Sequence, residues 1–205
     1  MTLRAVVLGC SLRSSAGESG QSSSELLGRE VLAALADHDV EGVVIRVADH
    51  DVKFGVSTDE GDGDEWPAIR AAILDAQILV IATPIWMGQP SSVCKVVLER
   101  LDAELSETDD QGRMLTFGKV AAVAVVGNED GAHHVVAEVL QALNDVGFTA
   151  AAAGSTYWVG EAMGKLDYKD AGPRPDTTGS ATKTLAANTA HLAHLLAANP
   201  YPPVG

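Results

Sequence analysis

Short apolar runs alternate with helical stretches along this chain, and that alternation limits the fold more than any other feature. Leu3–Gly9 reads LRAVVLG. It is a nearly continuous β-branched run, of the kind buried on both faces of a sheet. Similar runs occupy residues 43–47, 78–82 (ILVIA) and 119–126 (KVAAVAVV), with a weaker, alanine-rich one at 148–153. Between them lie SSSELLGREVLAALAD, PAIRAAILDAQ, SSVCKVVLERLDAEL and HHVVAEVLQALNDVG, and residues 182–198 close the chain as a helix. The helix ends carry their own signals. Ser22, Ser23 or Ser24 serves as an N-cap, Pro67 suits a first turn, and Gly147 is placed as a C′ glycine. Five strand–helix alternations predict a parallel sheet covered by helices on both faces, with right-handed crossovers. No composition break, repeat or heptad run divides the chain. A single domain over residues 1–205 is expected, with an irregular segment at 154–180 before the last helix.

Composition narrows the possible partners. Lys plus Arg number 14 against 28 Asp plus Glu, a formal charge of −14. Such a chain has no electrostatic footprint for nucleic acid and is repelled by anionic membrane surfaces. Apolar residues make up 46%, too many for a disordered chain. Cys10 and Cys94 show no CxxC spacing, which argues against a disulfide framework or structural zinc site and favours a cytoplasmic location. No stretch approaches the roughly 20 apolar residues of a membrane span.

Open parallel sheets bind ligands beyond the carboxyl ends of their strands. Three loops fall there. The first, residues 9–24, carries Ser11, Arg13, Ser14, Ser15, Ser22, Ser23 and Ser24. Hydroxyls, a guanidinium and free amides at a helix start suit a phosphate, because the helix dipole is positive there. The loop is neither a P-loop nor GxGxxG, its glycines being Gly9, Gly17 and Gly20. A flexible Ser/Gly loop with a solvated Arg fits it as well. The second loop runs Thr83, Pro84, Ile85, Trp86, Met87, Gly88, Gln89, Pro90. Here Trp86 either lies against a planar ligand that Gly88 lets approach, or plugs the top of the sheet. The third, Gly127, Asn128, Glu129, Asp130 and Gly131, either faces the same ligand or is a plain turn and helix cap.

Taken together, three motifs resemble those of the NAD(P)H-dependent FMN reductase family of flavodoxin-like proteins. They are Gly9-Cys10-Ser11-Leu12-Arg13 followed by Gly20-Gln21-Ser22-Ser23-Ser24; Thr83-Pro84-Ile85-Trp86 followed by Lys95 and Glu99-Arg100-Leu101; and the turn Gly127 to Gly131. One departure is Cys10 before Ser11, which shifts the hydroxyl by one position. The resemblance implies a three-layer αβα sandwich with a five-stranded parallel sheet of order 2-1-3-4-5. It also implies FMN, with its phosphate on Ser11, Arg13 and Ser22 to Ser24. The ring would lie between the Thr83 to Gly88 loop and the Gly127 to Gly131 loop, with Trp158 framing it. NAD(P)H would be the hydride donor, a quinone, free flavin or other small molecule the acceptor, and a homodimer or homotetramer the assembly. No acid–base residue of the protein's own is then required.

Two other readings start from the same loops. Gly9-Cys10-Ser11-Leu12 and Gly127-Asn128-Glu129-Asp130 also resemble blocks of SGNH hydrolases, with Ser11 as nucleophile and His191 or His194 as base. An electron-carrying flavodoxin would keep FMN and drop the enzyme. His133 and His134 are expected on a helix surface, and Cys94 in the core.

Overall fold

In the computed structural model, residues 2–15 and 20–204 are described. Residues 16–19, with Gly17 of the first loop among them, lie outside the described set. Strand β1 (Leu3–Gly9) is buried at every position but Arg4. It pairs in parallel with β2 (Val40–Arg46) on one side and β3 (Ile78–Trp86) on the other. Next to β3 lies β5 (Val120–Gly127), and next to that β6 (Thr149–Val159). A two-residue strand, β4 (Gln89–Pro90), turns back antiparallel on the end of β3.

Among the described residues the sheet therefore has six strands, five on the path β2-β1-β3-β5-β6 and β4 off it, paired with β3. This corrects the expected count of five in order 2-1-3-4-5. The cause is local. Thr83-Pro84-Ile85-Trp86, read as loop because of its proline, continues β3 alongside Val125 and Val126 of β5 and then closes a hairpin with Gln89 and Pro90. The segment expected to be irregular at 154–180 is strand up to Val159, and its end belongs to α5 (Asp176–Ala198). An irregularity hides that strand. Pairing jumps from Ala121↔Ala150 to Val123↔Ser155, and Ala153 adopts φ +53°. An alanine run with a bulge carries no readable alternation.

Helices α1 (Ser23–Ala36) and α5 cover one face. Leu27, Val31, Leu35, Leu185 and Ala190 pack there against Leu3, Ala5, Val7, Val80 and Val126. Helices α2 (Trp66–Asp75), α3 (Ser92–Leu101) and α4 (Ala132–Asp145) cover the other, on Val6, Leu8, Leu79, Ile81 and Val123. Alternate residues of each strand thus feed opposite cores, as the period of two demands. Ser22 caps α1 by accepting from the Glu25 amide at 3.2 Å. Gly147, at φ +95°, ends α4: its amide reaches the Asn144 carbonyl and that of Phe148 the Leu143 carbonyl, both at 3.0 Å. That is the paired closure of a left-handed C′ residue.

Candidate functional site

Beyond the carboxyl ends of β1, β3, β5 and β6 lies a cleft of about 490 Å3. The sequence-derived residues Ser11, Arg13, Ser22, Ser23, Ser24, Pro84, Ile85, Trp86, Gly127, Asn128, Glu129 and Trp158 line it. Thr83, Met87, Gly88, Asp130 and Gly131 are not among its lining residues. The Thr83 hydroxyl is fully buried and accepts from the Ser91 amide at 3.2 Å, tying β3 to the cap of α3. A larger groove of about 980 Å3 runs between α3 and α4, but takes only Gln89 and Pro90 from the strand-end loops.

One end of the cleft is built on the start of α1. Ser22 and Ser24 are nearly buried, their hydroxyls 3.3 Å apart, and the Ser11 hydroxyl accepts from the Arg13 amide at 3.2 Å. Glu25 sits in the first turn of α1, where a carboxylate would oppose an anionic ligand. Its charge is compensated by Arg29 at 2.8 Å and by Arg46. The basic residues lining the cleft are Arg13 and Lys169. Neither forms an ion pair among the described residues.

At the other end the loops are tied to one another. The Glu129 carboxylate accepts from the amides of Met87 at 3.1 Å and Gly88 at 3.0 Å. Those two donors are therefore engaged by the protein itself. Asn128 offers its carbonyl to the Met163 amide at 2.8 Å, while its side-chain Oδ1 is buried with no partner among the described residues. Trp158 and Tyr168 pack with ring centroids 5.4 Å apart.

Sequence reasoning missed Leu12, Val126 and, above all, the segment Met163, Gly164, Asp167, Tyr168 and Lys169, which completes the wall. Its only sequence signal is an aromatic pair followed by Lys165-Leu166-Asp167-Tyr168 in a chain with 4% aromatics. Burial and long-range pairing place it: burial and the Glu30 carboxylate push the Tyr168 hydroxyl well above the usual range. The histidines fall elsewhere. His191 and His194 are exposed on α5, away from Ser11, which removes the geometry a hydrolase would need. His133 and His134 are exposed on α4, as expected of a helix surface, and both cysteines are buried.

The profile described as NADPH-dependent FMN reductase matches residues 3–164. The chain is 34% identical over 211 residues to 8-demethyl-8-aminoriboflavin-5′-phosphate synthase of Streptomyces davaonensis, spanning 98% of this chain and 81% of that one. Its structure matches a crystal structure of RosB with bound 8-demethyl-8-formylriboflavin-5′-phosphate at a TM-score of 0.87 and 33% identity, over 97% of this chain and 82% of that chain. It is also 37% identical over 171 residues, 80% of its length, to the divalent metal cation transporter MntH of Mycobacterium bovis, but spans only 25% of that relative. Among the described residues no helix is long and apolar enough to cross a membrane, and no group of three or more His, Cys, Asp or Glu is placed to hold a metal ion. The chain belongs to the NADPH-dependent FMN reductase family, flavodoxin-like flavin oxidoreductases whose cofactors are FMN and NAD(P)H.

Proposed function

We propose that this protein holds FMN in the strand-end cleft, takes hydride from NAD(P)H and delivers the electrons to a small-molecule acceptor such as a quinone or free flavin. The observation that carries this reading is the convergence of loops from β1, β3, β5 and β6 on one cleft whose basic side chains form no ion pair among the described residues.

The residues present fit the group. A phosphate monoester needs charge-assisted and amide donors, which Arg13, the Ser11, Ser22 and Ser24 hydroxyls and the first turn of α1 offer. A planar ring needs a flat apolar wall, offered by Ile85, Trp86 and Trp158. The buried, unpartnered Asn128 Oδ1 needs a donor, and the ring of an oxidised flavin carries one N–H. Bound FMN supplies the hydride-accepting ring; the chain binds it, orients it and shields one face from water. The reading includes a cytoplasmic homodimer or homotetramer.

The test is spectroscopic. Purified protein is expected to take up FMN, to lose visible flavin absorbance on anaerobic addition of NADPH or NADH, and to regain it with an acceptor. Failure to bind FMN, or flavin that neither nucleotide bleaches, overturns the reading. A second reading treats riboflavin phosphate as a substrate to be modified. It is favoured by the likeness to the Streptomyces synthase along 98% of the chain. The mass of the flavin recovered after turnover separates the two: it is unchanged for the oxidoreductase and altered for a synthase.

A further inference from the structure

Segment 160–175 lies far from the three motif loops in sequence, yet it crosses the start of α1. Its anchor is Glu30, one α1 turn beyond Leu26. The Tyr168 hydroxyl and the Arg174 guanidinium both donate to the Glu30 carboxylate, and Arg174 stacks 4.4 Å over the Tyr168 ring. With Tyr168 held there, the next residue falls on the helix start. The Lys169 amide donates to the Ser23 hydroxyl at 3.3 Å, and Lys169 lines the cleft beside Ser22, Ser23 and Ser24.

The charges around this point leave Lys169 available. Glu25 is neutralised by Arg29 and Arg46, Glu30 is held by Arg174 and Tyr168, and Glu129 is spent on the β3–β4 hairpin. Among the described residues Asp167 is the remaining carboxylate in the cleft wall, and it forms no ion pair with Lys169. In a chain of net charge −14, an ammonium and a guanidinium brought to one helix N-terminus with no ion-pair partner among the described residues mark a place for an anion.

We propose that Lys169, delivered by the Glu30-anchored strap, is a second phosphate-binding cation that works with Arg13 to select flavins bearing a 5′-phosphate. The assignment rests on the FMN reading above. It makes Lys169 a direct contact of the phosphate and Glu30 a positioning residue acting through Tyr168 and the strap.

Riboflavin carries the same ring without the phosphate, so the ratio of its Kd to that of FMN isolates the contact. Flavin fluorescence titration of the flavin-free full chain would measure both. Lys169→Met is expected to lower the ratio about tenfold, or about 1.4 kcal/mol, with riboflavin affinity unchanged. Lys169→Arg should restore most of the ratio, and Arg13→Met should lower it as well. Glu30→Gln, outside the cleft, is expected to lower the ratio partway while riboflavin affinity again holds, which a loss of folding would not do. A wild-type chain that prefers FMN, with an unchanged ratio in Lys169→Met, overturns this assignment and leaves the FMN reading standing. A wild-type chain that binds neither flavin overturns both.

Discussion

Arg100 has a structural task that the motif around it does not reveal. The pair Glu99-Arg100 belongs to the stretch that resembles the flavin family, yet the Arg100 side chain is fully buried and is not among the residues that line the cleft. Its guanidinium donates to the carbonyls of Lys53 and Ser57 and to Asp64 Oδ2, all at 2.9 Å or less by its terminal nitrogens, and lies 5.5 Å from the Trp66 ring centroid. It fastens the Asp- and Gly-rich loop after β2 onto α3. Burial alone would raise the Asp64 carboxyl; the Arg100 guanidinium and the amides of Glu60, Trp66 and Lys53 outweigh it and hold the group well below the usual carboxylate range. A depressed folded pKa contributes stability above the unfolded value of about 3.9, and that stability is lost as pH falls below it toward the folded value. Asp64→Asn is therefore expected to be clearly less stable than wild type near pH 7, with the gap narrowing near pH 3; denaturation midpoints at the two pH values check this, and a constant gap would refute it. Arg100→Met strands a buried carboxylate and is expected to cost about 3–5 kcal/mol in the same assay.

Among the elements, the β3–β4 hairpin is the part whose conformation depends most on its neighbours. Met87 at φ +54° and Gly88 at φ +74° form a two-residue turn of the type that matches strand twist. A methionine in the left-handed region is costly alone. Glu129, from the β5–α4 loop, compensates by accepting from both turn amides. Gly131 permits this approach: it adopts φ +125°, and a Cβ on it would stand 2.9 Å from Gly88 Cα and O. Gly131→Ala is expected to push the hairpin from its seat, lowering FMN affinity several-fold and stability by about 1–3 kcal/mol, measured by titration and thermal melting; a variant with both unchanged would show that the contact does not order the wall. The same hairpin marks the limit of what periodicity reveals. The caps at Ser22 and Gly147 were legible because capping is decided within four residues. The continuation of β3 through Pro84 was not, because β5 and β4 supply its partners from elsewhere in the chain.

For the whole molecule, the charge of −14 sets how anionic ligands arrive. On the proposed reading the far field repels NAD(P)H and FMN, while Arg13 and Lys169 would attract them only at short range, within about a Debye length. Raising ionic strength from about 0.01 M to 0.15 M, which shortens that length from about 30 to 8 Å, is expected to increase the rate constant for reduction by NADPH at limiting concentration. Stopped-flow traces would test this, and a rate falling with salt would mean that the local cations dominate steering. Sequence alone determined the alternating architecture, the buried strands, the helix caps and the three motif loops at the carboxyl edge, because each depends on side chains within one or two turns or on the pleat period. Only the tertiary structure decided that Trp158 lies in a strand after a bulge and that Glu129 occupies the hairpin amides. It also decided that Tyr168 and Lys169 close the wall from a segment with no periodic pattern. These placements come from pairings between residues tens to more than a hundred positions apart, such as Glu30 with Tyr168 and Ser23 with Lys169. Contacts at that separation have no local signature, since they exist only once the sheet has brought both partners to the same edge.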